Sequence, residues 1–306
     1  MSPNALELKD VRKRYGKRLA LDGLNLGVPA GSVCGLVGSN GAGKTTAMAV
    51  TVALVRHEGG TVNVLGDGPF DATKHAGRVS LMPQDSLMPP YARVAEILSF
   101  YAALQGIPHR LVHEEVTRVI GLVHLSDRAG SQIRTLSHGM RRRVAIAQCL
   151  LGEPDLVLMD EPTSGLDPRE VQNLREVLQK RKPGQTVVIS SHILSELERM
   201  CDCVAFIDKG KTTLQDSMDA VTGRSSVLNY LLTPGAIPLD RLRQLLPRVI
   251  FESAENGGTL VCRYQPADYR PEEVNKHVLE SLLQVDIGVI EVRLGSGLEK
   301  AYLQTS

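Results

Sequence analysis

The chain has 306 residues, of which 42% are hydrophobic and 23% are charged, and its formal net charge is +1. This length exceeds the usual size of one hydrophobic core, so we expect two globular units. The near-neutral charge provides neither a basic surface for nucleic acid nor an acidic tail for cations, and we expect no nucleic-acid partner. No signal peptide or bilayer-spanning apolar run is predicted, so a role at the membrane would require a partner protein.

The five cysteines are an odd number and lack the spacing of metal ligands. Cys201 and Cys203 flank Asp202 at the start of an apolar strand. We interpret both as core thiols of a protein in the reducing cytosol rather than as a redox or metal pair.

Residues 5–28 alternate apolar and polar side chains, which predicts two antiparallel strands joined through residues 12–23. Tyr15 lies in this joining segment, after a basic cluster and before Gly16. The sequence leaves two interpretations of Tyr15 open. It is either exposed and able to stack on a flat ligand, or it caps a strand against the core.

The next segment combines an apolar strand, Val33–Val37, with the phosphate-binding pattern Gly38-x-x-x-x-Gly43-Lys44-Thr45. Its glycines let the backbone turn tightly and approach an anion closely. The amides at the start of the following helix would point at phosphate oxygens. Lys44 would reach the β- and γ-phosphates, and the Thr45 hydroxyl would bind Mg²⁺. The sequence therefore predicts a nucleoside triphosphate site.

Short strands are predicted at residues 59–66 and at Val79–Met82, and Gln84 follows the second of them. A glutamine at a strand end indicates little by itself. Residues 85–137 carry apolar residues at helical spacing, which predicts a helical insertion within one nucleotide-binding sheet.

A further helix is predicted after Ser137, which would be its N-cap. Four residues would form its apolar stripe, namely Met140, Val144, Ala147 and Leu151. The three arginines at residues 141–143 cannot all face the core, and we interpret them as a solvent-exposed face.

Asp160 and Glu161 end the apolar strand Leu156–Met159. Two acids at the carboxyl end of a buried strand are costly unless they meet a cation or take part in chemistry. Asp160 would hold Mg²⁺, and Glu161 would polarise the attacking water. The alternative is an acidic helix cap or turn. His192 follows another buried strand at residues 186–190, and alone it indicates a loop residue.

We expect residues 1–214 to form the first unit and residues 215–306 the second. In the second unit, strand-like and helix-like runs follow one another in the order β-α-β-β-α-β. This order predicts a small α+β domain of ferredoxin-like type. It contains no recognisable catalytic constellation.

These motifs, in this order, resemble those of the ATP-binding-cassette (ABC) ATPases over residues 5–214. The similar segments are residues 38–46 (Walker A), Gln84 (Q-loop), residues 136–140 (signature motif), residues 156–161 (Walker B), residues 164–167 (D-loop) and His192 (switch histidine). The resemblance implies an α/β P-loop NTPase fold with an antiparallel β subdomain and a helical subdomain at about residues 85–153. Residues 297–306 look like the C-terminal extension of ATPases that serve drug- and antibiotic-type exporters with a separate permease chain.

The resemblance also implies ATP hydrolysis coupled to transport, with ATP and Mg²⁺ bound between two cassettes that are identical or homologous. Glu161 would be the general base, His192 would bind the γ-phosphate, and Gln84 would contact Mg²⁺ and the attacking water. The metal would be held by Thr45, Gln84 and Asp160. The residues implied to bind or surround the nucleotide are Tyr15, Gly38, Ser39, Asn40, Gly41, Ala42, Gly43, Lys44, Thr45, Thr46, and, in the dimer, Ser137, Gly139 and Asp167.

The signature motif departs from the family pattern LSGGQ at two positions, because His138 replaces the first glycine and Met140 the glutamine. Since Glu161 is retained, we expect a working ATPase, located at the inner face of the cell membrane through its permease. Two alternative functions are a soluble ABC ATPase acting on ribosomes or DNA, and a regulatory ATP sensor.

Overall fold

A computed structural model describes residues 3–223, 226–254, 257–295, 298 and 302. The chain divides into two compact units, residues 1–215 and 216–306, and each contains its own hydrophobic core. The extension-like segment at residues 297–306 lies outside the described residues, apart from Leu298 and Tyr302.

The first unit is built from strands in two sheets and from helices that cover them. Its strands are β1 (Asn4–Tyr15), β2 (Arg18–Pro29), β3 (Val33–Val37), β4 (Gly59–Val64), β5 (Val79–Met82), β6 (Leu156–Met159), β7 (Thr186–Ser191), β8 (Cys203–Asp208) and β9 (Lys211–Ser217). Its helices are α1 (Lys44–Thr51), α2 (Val94–Leu104), α3 (His109–Leu122), α4 (His138–Cys149), α5 (Pro168–Gln179) and α6 (Leu194–Met200), with short 3₁₀ turns at Ser126–Arg128 and Ile133–Thr135.

A six-stranded sheet in the order β5-β6-β7-β3-β8-β9 forms the centre of this unit, and the pairs from β5 through β8 are parallel. Every residue of β3, β6 and β7 is buried, as expected for parallel strands covered on both faces. Met82 pairs with Met159, and Val37 with Ser191, so these strands end at one common edge. The segments that follow them therefore meet at that edge, where ligands of open α/β sheets bind.

The smaller sheet is antiparallel, in the order β2-β1-β4. The strands β1 and β2 are joined by a turn at Gly16 and Lys17 only, so the predicted joining segment at residues 12–23 is wrong: most of it is strand. Register shifts interrupt the β1–β2 ladder at several points. Such bulges break the alternation of apolar and polar side chains, which is the signal from which the strands are predicted.

Helix α1 packs against β2 and β4 and buries Ala47, Met48 and Val50 in the core of the first unit. Helices α2, α3 and α4 pack on one another, and α4 also packs against β5. They lie between β5 and β6 in the chain, which confirms the helical insertion. The arrangement as a whole confirms the predicted α/β fold.

One prediction about this helical region is wrong. Only Arg141 of the three adjacent arginines is exposed, whereas Arg143 is half-buried and Arg142 is only 7% exposed.

The second unit has a four-stranded antiparallel sheet in the order β11-β12-β10-β13. Its elements are α7 (Met218–Thr222), β10 (Val227–Leu232), α8 (Leu239–Leu245), β11 (Ile250–Ser253), β12 (Thr259–Arg263), α9 (Pro271–Leu283) and β13 (Val289–Leu294). From β10 onward this is the predicted β-α-β-β-α-β order, and the strand order is that of a ferredoxin-like fold. Leu228 and Tyr230 of β10 belong to its core, together with Val274 and Val278 of α9.

Within the part of the chain that the structure describes, none of the helices combines the length and the apolar character that crossing a bilayer requires.

Candidate nucleotide-binding site

The phosphate-binding pattern lies between β3 and α1, at the carboxyl edge of the parallel sheet. Gly43 is the N-cap of α1 and has φ of 119°. A Cβ at this position would lie 2.8 Å from the Ala20 carbonyl oxygen, so both the backbone angle and the space require glycine. The helix begins at Lys44, and the amides of its first turn have no partner within the helix. They form an anion-binding helix N-terminus.

The Lys44 ammonium is buried within the loop. It donates hydrogen bonds to the carbonyl oxygens of Gly38, at 2.7 Å, and of Ser39, at 3.3 Å. Its Nζ atom also lies 3.6 Å from Oε1 of Glu161. Lys44 therefore joins the phosphate-binding loop to the acidic end of β6.

A cavity of about 460 Å³ opens beside this loop. Its lining residues are Tyr15, Arg18, Ala20, Asn40, Gly41, Gly43, Lys44, Thr45, Thr46, Gln84 and Glu161. The structure thus brings Tyr15 and Gln84, which are remote in sequence, to the loop and to Glu161. Gly38, Ser39 and Ala42 are part of the loop but do not line the cavity, and Ala42 is buried.

Tyr15 is 47% exposed, and the Lys13 ammonium lies 5.3 Å from the centre of its ring. Exposure decides against the interpretation of Tyr15 as a cap on the core. Arg18 pairs with Tyr15 across the β1–β2 turn and donates to the Gly41 carbonyl oxygen at 3.0 Å. Sequence reasoning missed Arg18. A two-residue turn after Tyr15 would have placed it opposite the tyrosine.

Glu161 has a left-handed backbone, with φ of 51°. Its amide donates to Oγ of Ser190 at 2.8 Å, and its Oε2 accepts a hydrogen bond from Nδ1 of His192 at 2.8 Å. The Glu161 side chain is 7% exposed and that of His192 is 54% exposed. The structure therefore places Glu161, after β6, in direct contact with His192, after β7.

The neighbouring Asp160 is 1% exposed. Its Oδ1 accepts a hydrogen bond from Oγ of Ser190 at 2.5 Å, while its Oδ2 is buried without a hydrogen-bond partner among the described residues. A buried carboxylate oxygen that lacks a donor is suited to a cation or to water bound by one. Thr45 and Gln84 line the cavity together with Glu161, the residue next to Asp160, and hydroxyl, amide and carboxylate oxygens are ligand types that suit Mg²⁺. Sequence reasoning missed Ser190, which binds both acidic residues.

The signature residues and Asp167 are not among the residues that line the cavity. The Ser137 side chain caps α4 by accepting from the Met140 amide at 3.1 Å. Asp167 caps α5 and accepts from the Glu170 amide at 2.9 Å. A Cβ on Gly139 would overlap the Glu170 carboxylate, so the starts of α4 and α5 lie against each other.

The His138 ring lies against the loop that precedes α5. A Cβ on Gly165 would be 2.8 Å from the Nε2 and Cδ2 atoms of His138. The imidazole therefore packs directly on the Gly165 backbone of the same chain.

Arg142 extends from α4 toward the carboxyl ends of β5 and β6, where its hydrogen-bond acceptors among the described residues are all backbone carbonyl oxygens. Burial lowers the pKa of its guanidinium, and the nearby Asp160 and Glu161 charges partly oppose this effect.

Comparisons with known proteins agree with this geometry. Residues 21–164 match the ABC transporter family. Nod factor export ATP-binding protein I of Cupriavidus pinatubonensis is 34% identical over 263 residues, which are 84% of this chain and 79% of that protein. The protein of the same name from Bradyrhizobium diazoefficiens is 30% identical over 284 residues, or 91% of this chain and 90% of that protein.

Among solved structures, the ATP-binding subunit of an ABC transporter is similar with a TM-score of 0.64 and 25% sequence identity, covering 72% of this chain and 92% of that chain. The phosphate-binding loop, the cavity and the extent of these matches lead to one assignment. The chain belongs to the ABC transporter family as an ATP-binding subunit, and it is an ATPase.

Proposed function

We propose that two cassettes, either two copies of this chain or this chain and a homologous one, enclose ATP between them and power export through a separate membrane permease. The observation that carries the export assignment is the match to two export proteins over 84% and 91% of this chain. These matches extend beyond the cassette itself, into the second unit. The chain would then lie at the inner face of the membrane, held there by the permease.

In this proposal, the cavity holds the triphosphate and the adenosine of ATP. The exposed Tyr15 ring stacks on adenine. The amides at the start of α1 and the side chains of Lys44, Thr45 and Thr46 bind the phosphates. Arg18, which already binds the loop backbone, adds positive charge at the same wall.

Glu161 acts as general base toward the attacking water. Its Oε2 is held by Nδ1 of His192 and its Oε1 lies on the side of Lys44, so the carboxylate is oriented before water binds. Both nitrogens of a protonated imidazole donate hydrogen bonds. A protonated His192 can therefore hold Glu161 through Nδ1 and a γ-phosphate oxygen through Nε2.

Mg²⁺ would be held by the Thr45 hydroxyl, the Gln84 side chain and the free Oδ2 of Asp160. When bound, it neutralises charge that develops on the β- and γ-phosphates. Ser190 fixes the other oxygen of Asp160 and so sets the direction in which Oδ2 points.

The second wall of each site would come from the other cassette. Ser137, Gly139 and Asp167 lie outside the cavity of their own chain, although the family resemblance implies that they contribute to the nucleotide site. Ser137 is exposed at the N-terminus of α4, where a helix dipole and a hydroxyl suit a phosphate. In a head-to-tail dimer, this surface can face the triphosphate that the partner's phosphate-binding loop holds.

Mixing two inactive variants tests the shared site. Lys44→Ala removes the loop cation, and Ser137→Asp keeps an N-capping side chain while it places a negative charge toward the phosphates. We expect each variant alone to be inactive and an equal mixture to regain about a quarter of wild-type activity, because half of randomly formed dimers are mixed and each holds one intact site. Phosphate release measures the recovery. If no activity returns while both variants remain folded and dimeric, each site is complete within one chain.

Purification from detergent-solubilised membranes of the native host tests the transport partner. We expect an integral membrane protein to co-purify with the chain at a fixed stoichiometry and to stimulate its ATPase activity when the two are reconstituted. A chain recovered with ribosomes or DNA, and not with a membrane protein, would favour the alternative class of ABC ATPase.

A further inference from the structure

Arg142 makes an unusual set of contacts for a buried cation. Its Nη1 donates to the carbonyl oxygen of Gln84 at 2.6 Å. Its Nη2 donates to the carbonyl oxygens of Asp160, at 2.9 Å, and of Glu161, and its Nε to that of Pro162 at 3.3 Å. Within the described part of the chain, no carboxylate lies within ion-pair distance of this guanidinium. Its hydrogen-bond donors are directed to backbone carbonyl oxygens instead of to a carboxylate.

The carbonyl groups that Arg142 binds belong to two segments of the nucleotide site. Gln84 follows β5 and Glu161 follows β6, and the side chains of both residues line the cavity. One guanidinium therefore bridges the two segments without lining the cavity itself. By binding both segments, it fixes the distance between Gln84 and Glu161, both of which line the cavity.

The contact with Glu161 has particular weight because the backbone of this residue is left-handed. Such a conformation in a residue other than glycine persists only where surrounding contacts determine it. The Glu161 amide is bound by Ser190, and the Glu161 carbonyl oxygen is bound by Arg142. The peptide groups on both sides of Glu161 are therefore each fixed by a hydrogen bond.

We propose that Arg142 is a positioning residue for ATP hydrolysis. It fixes the positions of Gln84 and Glu161 relative to each other and connects both to α4, the helix that starts directly after Ser137. This inference rests on the proposed role of Glu161 as general base. Only arginine supplies a planar fork with donors in several directions. A lysine at this position has a single ammonium and cannot bind the carbonyl groups of both segments in the same geometry.

The test compares Arg142→Lys with Arg141→Lys in the full-length chain. Arg141 is exposed on the same helix and provides a control of identical chemistry. We expect Arg142→Lys to lower kcat by about 10- to 100-fold, since small misplacements of catalytic groups have effects of this size. The KM for ATP and the Kd of a fluorescent ATP analogue should change less than about threefold. Arg141→Lys should match the wild type in all three quantities.

The double variant of Arg142→Lys and Glu161→Gln shows whether Arg142 acts through Glu161. If it does, Arg142→Lys should reduce the residual rate of Glu161→Gln by less than about threefold, because residues that act as one unit are not additive. If the double variant instead loses rate by the product of the two single-variant factors, the proposal is overturned. Normal turnover of Glu161→Gln alone would instead refute the proposed base, which separates that failure from a failure of Arg142.

Two further outcomes would overturn the positioning role. One is a wild-type kcat for a folded Arg142→Lys protein. The other is a loss of folding, measured by thermal unfolding, in both Arg142→Lys and Arg142→Gln, since this would assign Arg142 to stability alone.

Discussion

Replacing Glu161 by Gln is expected to lower the rate of ATP hydrolysis by about 100-fold or more, because a general base contributes on the order of 10²–10⁴ to a rate. Glutamine has the same shape, and its amide oxygen can still accept the hydrogen bond from His192. The binding of ATP should therefore be retained, and dimers with ATP and Mg²⁺ should accumulate. Phosphate release measures the rate, and size-exclusion chromatography with ATP measures the dimer.

The matched control for this variant is Glu114→Gln, which removes an exposed carboxylate from α3. It should leave both the rate and the dimer unchanged. Near-normal hydrolysis by a folded Glu161→Gln protein would show that another group activates the water.

The variant Lys44→Ala should differ by losing nucleotide affinity itself, on the order of 100-fold, since hydrogen bonds to charged groups contribute about 1.5–3 kcal/mol each. Lys44 is the cation at the base of the cavity, bound to the Gly38 and Ser39 carbonyl oxygens. Equilibrium titration with a fluorescent ATP analogue measures the change.

Removing Lys44 also takes a cation from beside the buried carboxylate of Glu161, which can lower stability. The comparison with Lys44→Met, which keeps most of the aliphatic chain, separates packing from charge. Both variants should bind ATP equally weakly and unfold at similar temperatures. Wild-type affinity in a folded Lys44→Met protein would show that the backbone amides alone hold the phosphates.

The position of the site could be predicted from the sequence because its parts are local motifs at the ends of buried strands. Parallel strands bring their carboxyl ends to one edge, so Gln84, Glu161 and His192 can be expected near the phosphate-binding loop without knowledge of the strand order. Their mutual contacts could not be predicted. Glu161 combines a left-handed backbone with a hydrogen bond from His192, and no propensity of glutamate indicates that backbone.

The burial of Arg142 was not predicted from the sequence, for a different reason. Arginine is usually exposed, and the acceptors of the Arg142 hydrogen bonds lie in two segments, after β5 and after β6, that are remote in sequence. Helical spacing nevertheless contains a signal, because Arg142 shares a stripe with Gly139, Ile146 and Cys149, all of which are buried. A charged residue on a stripe of buried positions indicates a satisfied polar contact.

The left-handed backbone of Glu161 also bears on how this cassette can evolve. A residue other than glycine in this conformation carries strain of order 1–3 kcal/mol, whereas glycine or asparagine would adopt it more easily. In the proposed mechanism, selection for hydrolysis keeps a residue that selection for folding alone would replace. Homologous cassettes that lose the requirement for turnover can gain stability at this position. Among homologous sequences, glycine or asparagine at the position of Glu161 would then indicate that the cassette has lost ATP hydrolysis.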